Sequence, residues 1–549
     1  MQPLLPGEVA YLNLPQMAQS RTYLALGVNK ISPNDQYVAY SLDELGDEVC
    51  HLYVKHIESD KEWILYDGDD ILEGDGSIFW DGNGKAIFFC TLDATRRSHR
   101  LYRRQLFDDE GNYIDAPKQH DELIFEENDA TFSLRISKSF DSRYLVLTCS
   151  AKESTELHYL DLQQQVEGKT VAEQLKCISK REEKLCYRVT HCFGYWLVQT
   201  NNKGNTPNLS LKACKVGEEK DATCWLDVVT SSKIGSNSSV PIFDGGNERS
   251  LDGITIFSPN NNDVDAFTPF AYGVATGRED GMPRVWILEF TEEGVSSKAS
   301  PLKVTKSCRL EFDESAYDVG IGGNRDNSLP YVVISYDSLV TPPSHIAIPL
   351  NNPDDFNARK VLKEKQVDGY DKELFACERF TVKSRDGVTD IPVSMVFQRD
   401  AFAKNKGKVP THLYGYGSYG ASIEASFRST RLPLLKRGVV YVLAHVRGGG
   451  ELGRPWYEEP NGKYLGKKNS FNDFVDIARW LTDETTERNA ADEKGRGITI
   501  PSKLSCEGKS AGGCEYLSTL ALCASLNGVV INTFPSHSSA YWCLYQSSP

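Results

Sequence analysis

The chain has 549 residues, 40% of them hydrophobic and 25% charged, which is the balance of a globular protein with room for two or more domains. A formal net charge of −15 argues against nucleic acid as a general partner, because phosphate binding needs a basic face, and is compatible with cationic substrates. The 14 cysteines occur singly with no CxxC pair, which disfavours zinc and thioredoxin-like chemistry and fits a reducing compartment. The opening residues MQPLLPGEVAYLNLPQ hold no basic segment followed by an apolar one, so no signal peptide is read and a cytoplasmic location is expected.

Through the first two thirds of the chain, short apolar and aromatic runs alternate with clusters of Asn, Asp, Gly and Ser, the pattern of strands and turns. Three stretches share one design: SPNDQYVAYS from Ser32, WDGNGKAIFFC from Trp80 and SFDSRYLVLTC from Ser139. Each sets a turn rich in Asn, Asp or Gly before an apolar strand. Each is followed by another strand, HLYVKHI at 51–57, RLYRRQL at 100–106 and ELHYLDL at 156–162. A strand–turn–strand unit returning at roughly 50-residue spacing favours the blades of a β-propeller over a β-sandwich without a true repeat. YWLVQTNN at 195–202, PRVWILEF at 283–290 and YVVISYDS at 331–338 fit the unit more loosely.

The character changes near residue 380. FTVKSRDGVTDIPVSMVF (380–397) reads as a hairpin about Asp386-Gly387. KVPTHLYGYGSYG (408–420), VVYVLAHVRGGG (439–450) and KLSCEGKSAGG (503–513) each run from a buried strand into glycines. Between them, SFNDFVDIARWLTDE (470–484) places Phe471, Phe474, Val475, Ile477, Ala478 and Leu481 at helical spacing. Strands that alternate with helices and end in glycine predict an α/β layer on a parallel sheet. The expected domains are a propeller at 1–375 and an α/β domain at 376–549.

Gly508-Lys509-Ser510-Ala511-Gly512 fits GxSxG, the nucleophile elbow, in which small residues at −2 and +2 let the backbone turn sharply enough to lift the serine oxygen above the sheet. Alone the motif is weak; the strand before it and the two glycine-ended strands upstream give it a context. Acyl transfer also needs donors aimed at the developing oxyanion. One would be the backbone N–H of Ala511. The loop Gly415–Gly420 is the best source of the other, although its glycines equally suit a tight turn whose tyrosines pack. Gly448-Gly449-Gly450 is a further candidate that equally suits a plain turn.

LYGYGSYG at 413–420, AHVRGGGELGRPWY at 444–457, GKYLGKKNSFNDF at 462–474 and LSCEGKSAGG at 504–513, in that order, resemble the catalytic-domain signatures of the prolyl oligopeptidase family of serine peptidases, most of all its oligopeptidase B branch. REDGMPR at 278–284, ESAYDVG at 314–320 and SYDSLVTPPS at 335–344 resemble its propeller half. The resemblance implies a seven-bladed propeller covering an α/β-hydrolase active site and restricting it to peptides and short unfolded segments. It assigns Ser510 as nucleophile, with the Tyr416 hydroxyl and the Ala511 N–H on the oxyanion. It favours cleavage of short peptides after Arg or Lys, with prolyl specificity as the alternative, and implies no metal or organic cofactor, no membrane partner and no nucleic acid.

The sequence also departs from the family. After Ser510 there is no aspartate; Glu515 is the only acid and His537 the only histidine. Chain order in these hydrolases is Ser, then Asp, then His. Glu515 stands too close to the elbow, and His537 lies in a stretch unlike the family's histidine loop. The resemblance ends at Gly513, and 514–549 reads as non-native sequence in preference to a helix and strand. The segment that precedes the propeller in relatives is missing as well. The expectation is a propeller incomplete at its N-terminal side and a hydrolase domain truncated at its C-terminal side, lacking the triad Asp and His and inactive as given. The competing readings are a non-catalytic propeller that binds partners and another α/β-hydrolase, such as an acylaminoacyl peptidase or esterase.

Overall fold

The computed structural model describes residues 10–67, 70–114, 121–164, 166–230, 240–246, 249–259, 271–292, 302–405, 408–482, 498–509 and 530–531. The chain divides into two compact units, Met1–Gly204 with Lys212–Leu226, and Asn205–Leu211 with Asp227–Pro549. Among the described residues no helix is long and apolar enough to cross a membrane.

In the first unit the three sequence repeats become three copies of one turn. The amide of Ser32 donates to the carbonyl of Tyr37 at 2.8 Å, that of Asp81 to Ala86 at 2.9 Å and that of Ser139 to Tyr144 at 2.8 Å. Three residues into each loop the backbone is left-handed, at Asp35 (φ 59°), Gly84 (φ 73°) and Ser142 (φ 61°), a conformation glycine and short polar residues reach at low cost. The Ser32 and Ser139 hydroxyls close their loops by accepting from the amides of Tyr37 at 3.0 Å and Tyr144 at 2.9 Å.

These turns deliver Tyr37–Asp43 and Ala86–Leu92, which share one eight-stranded antiparallel sheet, and Tyr144–Ser150, the second strand of a four-stranded antiparallel meander. The third strands, Cys50–His56, Ser98–Gln105 and Thr155–Asp161, are those the sequence pattern marks. Their inward residues form dry clusters such as Ala39, Leu52, Val54, Trp80, Ile87 and Phe89, and this burial of alternate side chains is what stabilises the meanders.

Two further meanders belong to the second unit: Arg249–Phe257, Ala271–Glu279, Met282–Glu292 and Leu302–Arg309, then Tyr317–Ile321, Tyr331–Ser338, Ser344–Pro349 and Lys360–Glu364. PRVWILEF falls on a third strand here, one strand out of phase with the repeat. The turn before it is the tight Asp280-Gly281 pair, left-handed at both residues (φ 55° and 71°), in place of the capped loop.

Beyond these lies a six-stranded sheet. Its strands are β1 (Phe375–Lys383), β2 (Asp390–Gln398), β3 (Thr411–Gly415), β4 (Val440–Ala444), β5 (Leu504–Gly508) and β6 (Val530–Ile531), in the order β1-β2-β4-β3-β5-β6. β1 and β2 are the hairpin read from the sequence, closed at Lys383 opposite Asp390, and β4, β3, β5 and β6 run parallel. Helix α1 (Lys468–Thr482) covers one face, burying Phe474, Ile477, Ala478 and Leu481 against Val393, Leu413, Val442 and Leu504. Phe471, expected on that face, is only half-buried, whereas Asp473 and Asp476 are buried.

Candidate active site

Gly415, the last residue of β3, lies opposite Ala444 at the end of β4 and opposite Gly508 at the end of β5. The three glycine-bearing segments therefore leave the carboxyl edge of one parallel sheet at the same level, the edge where open α/β sheets bind ligands. Tyr416 follows Gly415 directly and is half-buried. Ser510 and Ala511 follow Gly508 in the chain and lie outside the described residues, as do Glu515 and His537. Glu507 and Lys509, on either side of Gly508, pair through their side chains at 3.5 Å.

The loop that holds Tyr416 is fixed from below. Gly420 N donates to Gly448 O at 3.0 Å. Lys467 Nζ donates to Gly417 O and to the Ser418 hydroxyl, both at 2.6 Å, and the Ser470 hydroxyl donates to Gly417 O at 3.2 Å. The Gly448–Gly450 run is the seam of this packing. A Cβ on Gly448, whose φ is +96°, would stand 2.1 Å from Gly417 O, and one on Gly450 would stand 2.3 Å from Gly420 O. The amides of Gly448 and Gly449 donate to Trp456 O at 2.9 Å and Val446 O at 3.3 Å. Those two donors are committed to the fold.

Sequence reasoning missed the buried charges that hold this edge. Arg447, three residues past β4, grips Asp473 of α1 through Nε at 2.9 Å and Nη2 at 2.6 Å, and also reaches Asp386 at 2.8 Å and Ser384 at 2.9 Å. Asp473 is fully buried, and burial pushes its carboxyl upward against the pull of Arg447. His445 is buried with Nε2 2.9 Å from the Ser394 hydroxyl and Nδ1 3.6 Å from Glu451, and burial holds its pKa down. His412 on β3 places its ring nitrogens 2.9 Å from Ser505 and 3.0 Å from Glu507 on β5. The only sequence signals for these groups are charged residues at core-facing positions of otherwise apolar periods.

Two of the stretches that resemble the family's propeller half contact the hydrolase sheet and its loops. In the second unit, Arg278 of REDGMPR pairs with Glu424 in the loop after β3, and Arg379 of β1 donates to Asp280 O at 3.2 Å and Gly281 O at 3.1 Å. Burial, with Arg278 and Arg284 nearby, lowers the Arg379 guanidinium to about 10. Asp318 of ESAYDVG accepts from the Ser426 hydroxyl at 2.9 Å.

Elsewhere, Cys149, Glu156 and His158 bring metal-capable atoms within 4.8 Å of one another. Glu156 is already shared between His158 and Arg181, and burial pushes the Cys149 thiol far up, so the trio reads as a hydrogen-bonded packing cluster.

Repeated four-stranded meanders followed by a glycine-edged parallel sheet with an elbow motif define a propeller–hydrolase architecture. Residues 6–245 match the family model "Prolyl oligopeptidase, N-terminal beta-propeller domain" and residues 425–542 the model "Prolyl oligopeptidase family". Protease 2 of Moraxella lacunata is 28% identical over 529 residues, covering 96% of this chain and 65% of the relative. Dipeptidyl aminopeptidase BI of Pseudoxanthomonas mexicana is 26% identical over 511 residues, 92% of this chain and 59% of the relative. Oligopeptidase B from Leishmania major superimposes with a TM-score of 0.73 at 26% identity, over 96% of this chain and 66% of that one. Oligopeptidase B from Trypanosoma brucei with covalently bound antipain gives 0.72 at 28%, over 97% and 65%. The chain belongs to the prolyl oligopeptidase family, with its β-propeller and α/β-hydrolase domains, and spans somewhat less than two thirds of the length of these relatives.

Proposed function

We propose that this chain is part of a serine oligopeptidase that hydrolyses short peptides after Arg or Lys through an acyl-enzyme, with its propeller at 1–375 and its hydrolase domain at 376–549. Ser510 attacks the scissile carbonyl carbon, and the oxyanion that forms is held by the Tyr416 hydroxyl and the Ala511 N–H. The single observation that supports this most is the level register of Gly415 and Gly508, which starts the Tyr416 loop and the elbow from neighbouring strand ends. Family membership, relatives named as peptidases and the covalent antipain adduct of the Trypanosoma brucei structure agree with it. Likeness to the oligopeptidase B branch supports basic-residue cleavage over prolyl cleavage. A cytoplasmic location goes with cysteines that occur singly in the sequence without a CxxC pair.

The nucleophile also needs a base. Of the described histidines near this edge, both His412 and His445 are engaged with other side chains. An aspartate and a histidine that complete the triad would make the Ser510 hydroxyl a competent nucleophile. The test is fluorophosphonate labelling of the purified full-length gene product, together with hydrolysis of arginyl, lysyl and prolyl peptide amides. Labelling at Ser510 that Ser510→Ala abolishes, with cleavage after Arg or Lys, supports the reading. Absence of labelling, with no difference between the protein and Ser510→Ala, replaces it with a non-catalytic propeller protein. Hydrolysis of simple esters but not of arginyl or lysyl amides replaces it with another α/β-hydrolase.

A further inference from the structure

Ten positions apart in the sequence, Cys214 and Cys224 meet in the first unit with their sulfurs 3.4 Å apart. Cys214 lies near the end of the strand Ser210–Lys215 and is buried beside Trp196 and Trp225. Cys224 ends the short turn Ala222–Cys224, is partly exposed and directs its thiol to Asp221 O at 2.9 Å. The turn is capped by Asp221, whose carboxylate accepts from Thr223 N at 2.8 Å. A partly exposed cysteine therefore stands in contact with a buried one, an arrangement that suits an attacking thiol and a resolving thiol.

We propose that Cys214 and Cys224 form a redox-active dithiol that a low-molecular-weight disulfide converts into an intramolecular disulfide. The Cys224 thiolate attacks one sulfur of the small disulfide, forming a mixed disulfide and expelling one small thiolate. Cys214 then gives up its proton and attacks the Cys224 sulfur, expelling the second. Overall, two protein thiols and one small disulfide become one protein disulfide and two small thiols. The geometry assigns the roles. Cys214 is buried within the apolar cluster, whereas Cys224 packs against the edge of that cluster from the turn and is only partly buried. The electrostatics agree: the contact with Cys214 lowers the Cys224 thiol to about 6, and the same contact with burial pushes Cys214 far up. The sulfurs need to close from 3.4 Å to about 2.05 Å, a shift the short turn can supply while the strand stays in its ladder. The product staples strand to turn across residues 214–224.

The test uses the full chain, reduced, desalted and incubated with oxidised glutathione at neutral pH. Remaining thiols are then alkylated with N-ethylmaleimide and the protein digested with trypsin without reduction. The expected product is peptide 213–215 joined to peptide 221–233, two hydrogens lighter than the reduced pair and separated by dithiothreitol. In the unoxidised protein Cys224 is alkylated at least about ten-fold faster than Cys214. In Cys214→Ser the reaction stops with glutathione on Cys224. Recovery of both cysteines as maleimide adducts after oxidation, or of glutathione on Cys224 beside an alkylated Cys214 in the unsubstituted protein, overturns the proposal.

Discussion

Gly415 and Gly508 face each other across adjacent parallel strands, so the residues after them, Tyr416 in one loop and Lys509 leading to Ser510 in the other, begin at the same height above the sheet. The proposed chemistry follows from that alignment.

If Tyr416 is an oxyanion donor, Tyr416→Phe in the full-length gene product lowers kcat by roughly 10²-fold while KM changes little, because the lost bond is made only to the transition state. Steady-state kinetics on an arginyl peptide amide check this. An unchanged kcat removes the hydroxyl from the reaction.

Gly448→Ala is expected to destabilise the hydrolase sheet by about 2 kcal/mol or more, since the new Cβ meets Gly417 O in a left-handed backbone. The midpoint of urea unfolding read from near-ultraviolet circular dichroism falls accordingly. Gly387→Ala, at an open turn where an added Cβ would meet nothing within 4 Å, carries only the backbone strain and falls less.

Arg447→Met leaves the fully buried Asp473 carboxylate without its partner, and a loss of about 3–5 kcal/mol is expected. Asp473→Leu placed on top restores part of it, because the buried carboxylate is gone while the partly exposed Asp386 still lacks Arg447. Unfolding curves of the two single variants and the double variant measure the coupling.

The hairpin, the parallel strands and the three capped turns were legible because each rests on local chemistry: a Ser, Asn, Asp or Gly at a left-handed position, or an apolar run ended by glycine. The helix was legible as an element, yet Asp473 and Asp476 sit on its buried face, and a periodicity count cannot tell a buried paired aspartate from an exposed one. The role of Gly448–Gly450 was equally hidden, since its neighbour Gly417 belongs to the loop after the preceding strand in the chain and is brought close only by the ladder of β3 and β4. The offset of PRVWILEF followed from a tight turn replacing the capped loop. The elbow itself, Ser510 and Ala511, lies beyond the described residues.

Asp337 offers a pH dependence. Burial, and then the neighbouring Asp318 carboxylate, raise it to about 7, while the Phe427 amide, Arg428 and Arg431 oppose the rise; its Oδ1 has no hydrogen-bond partner among the described residues. An unfolded aspartate titrates near about 4, so between about 4 and about 7 the folded protein binds the extra proton. Its contribution to stability is complete below that window and is lost as pH rises through it. Asp337→Asn is expected to flatten this decline, so that the Tm difference between variant and parent grows in the variant's favour from pH 4 to pH 8. A parallel pair of Tm curves contradicts it.

The most direct test of the account is a crystal structure of the protein with the 508–512 turn in density. The account predicts the Ser510 hydroxyl standing free above the carboxyl edge of β5, with the Tyr416 hydroxyl and the Ala511 amide within about 6 Å on the same side. A Ser510 side chain packed into the sheet, or a Tyr416 hydroxyl more than about 10 Å away, contradicts it.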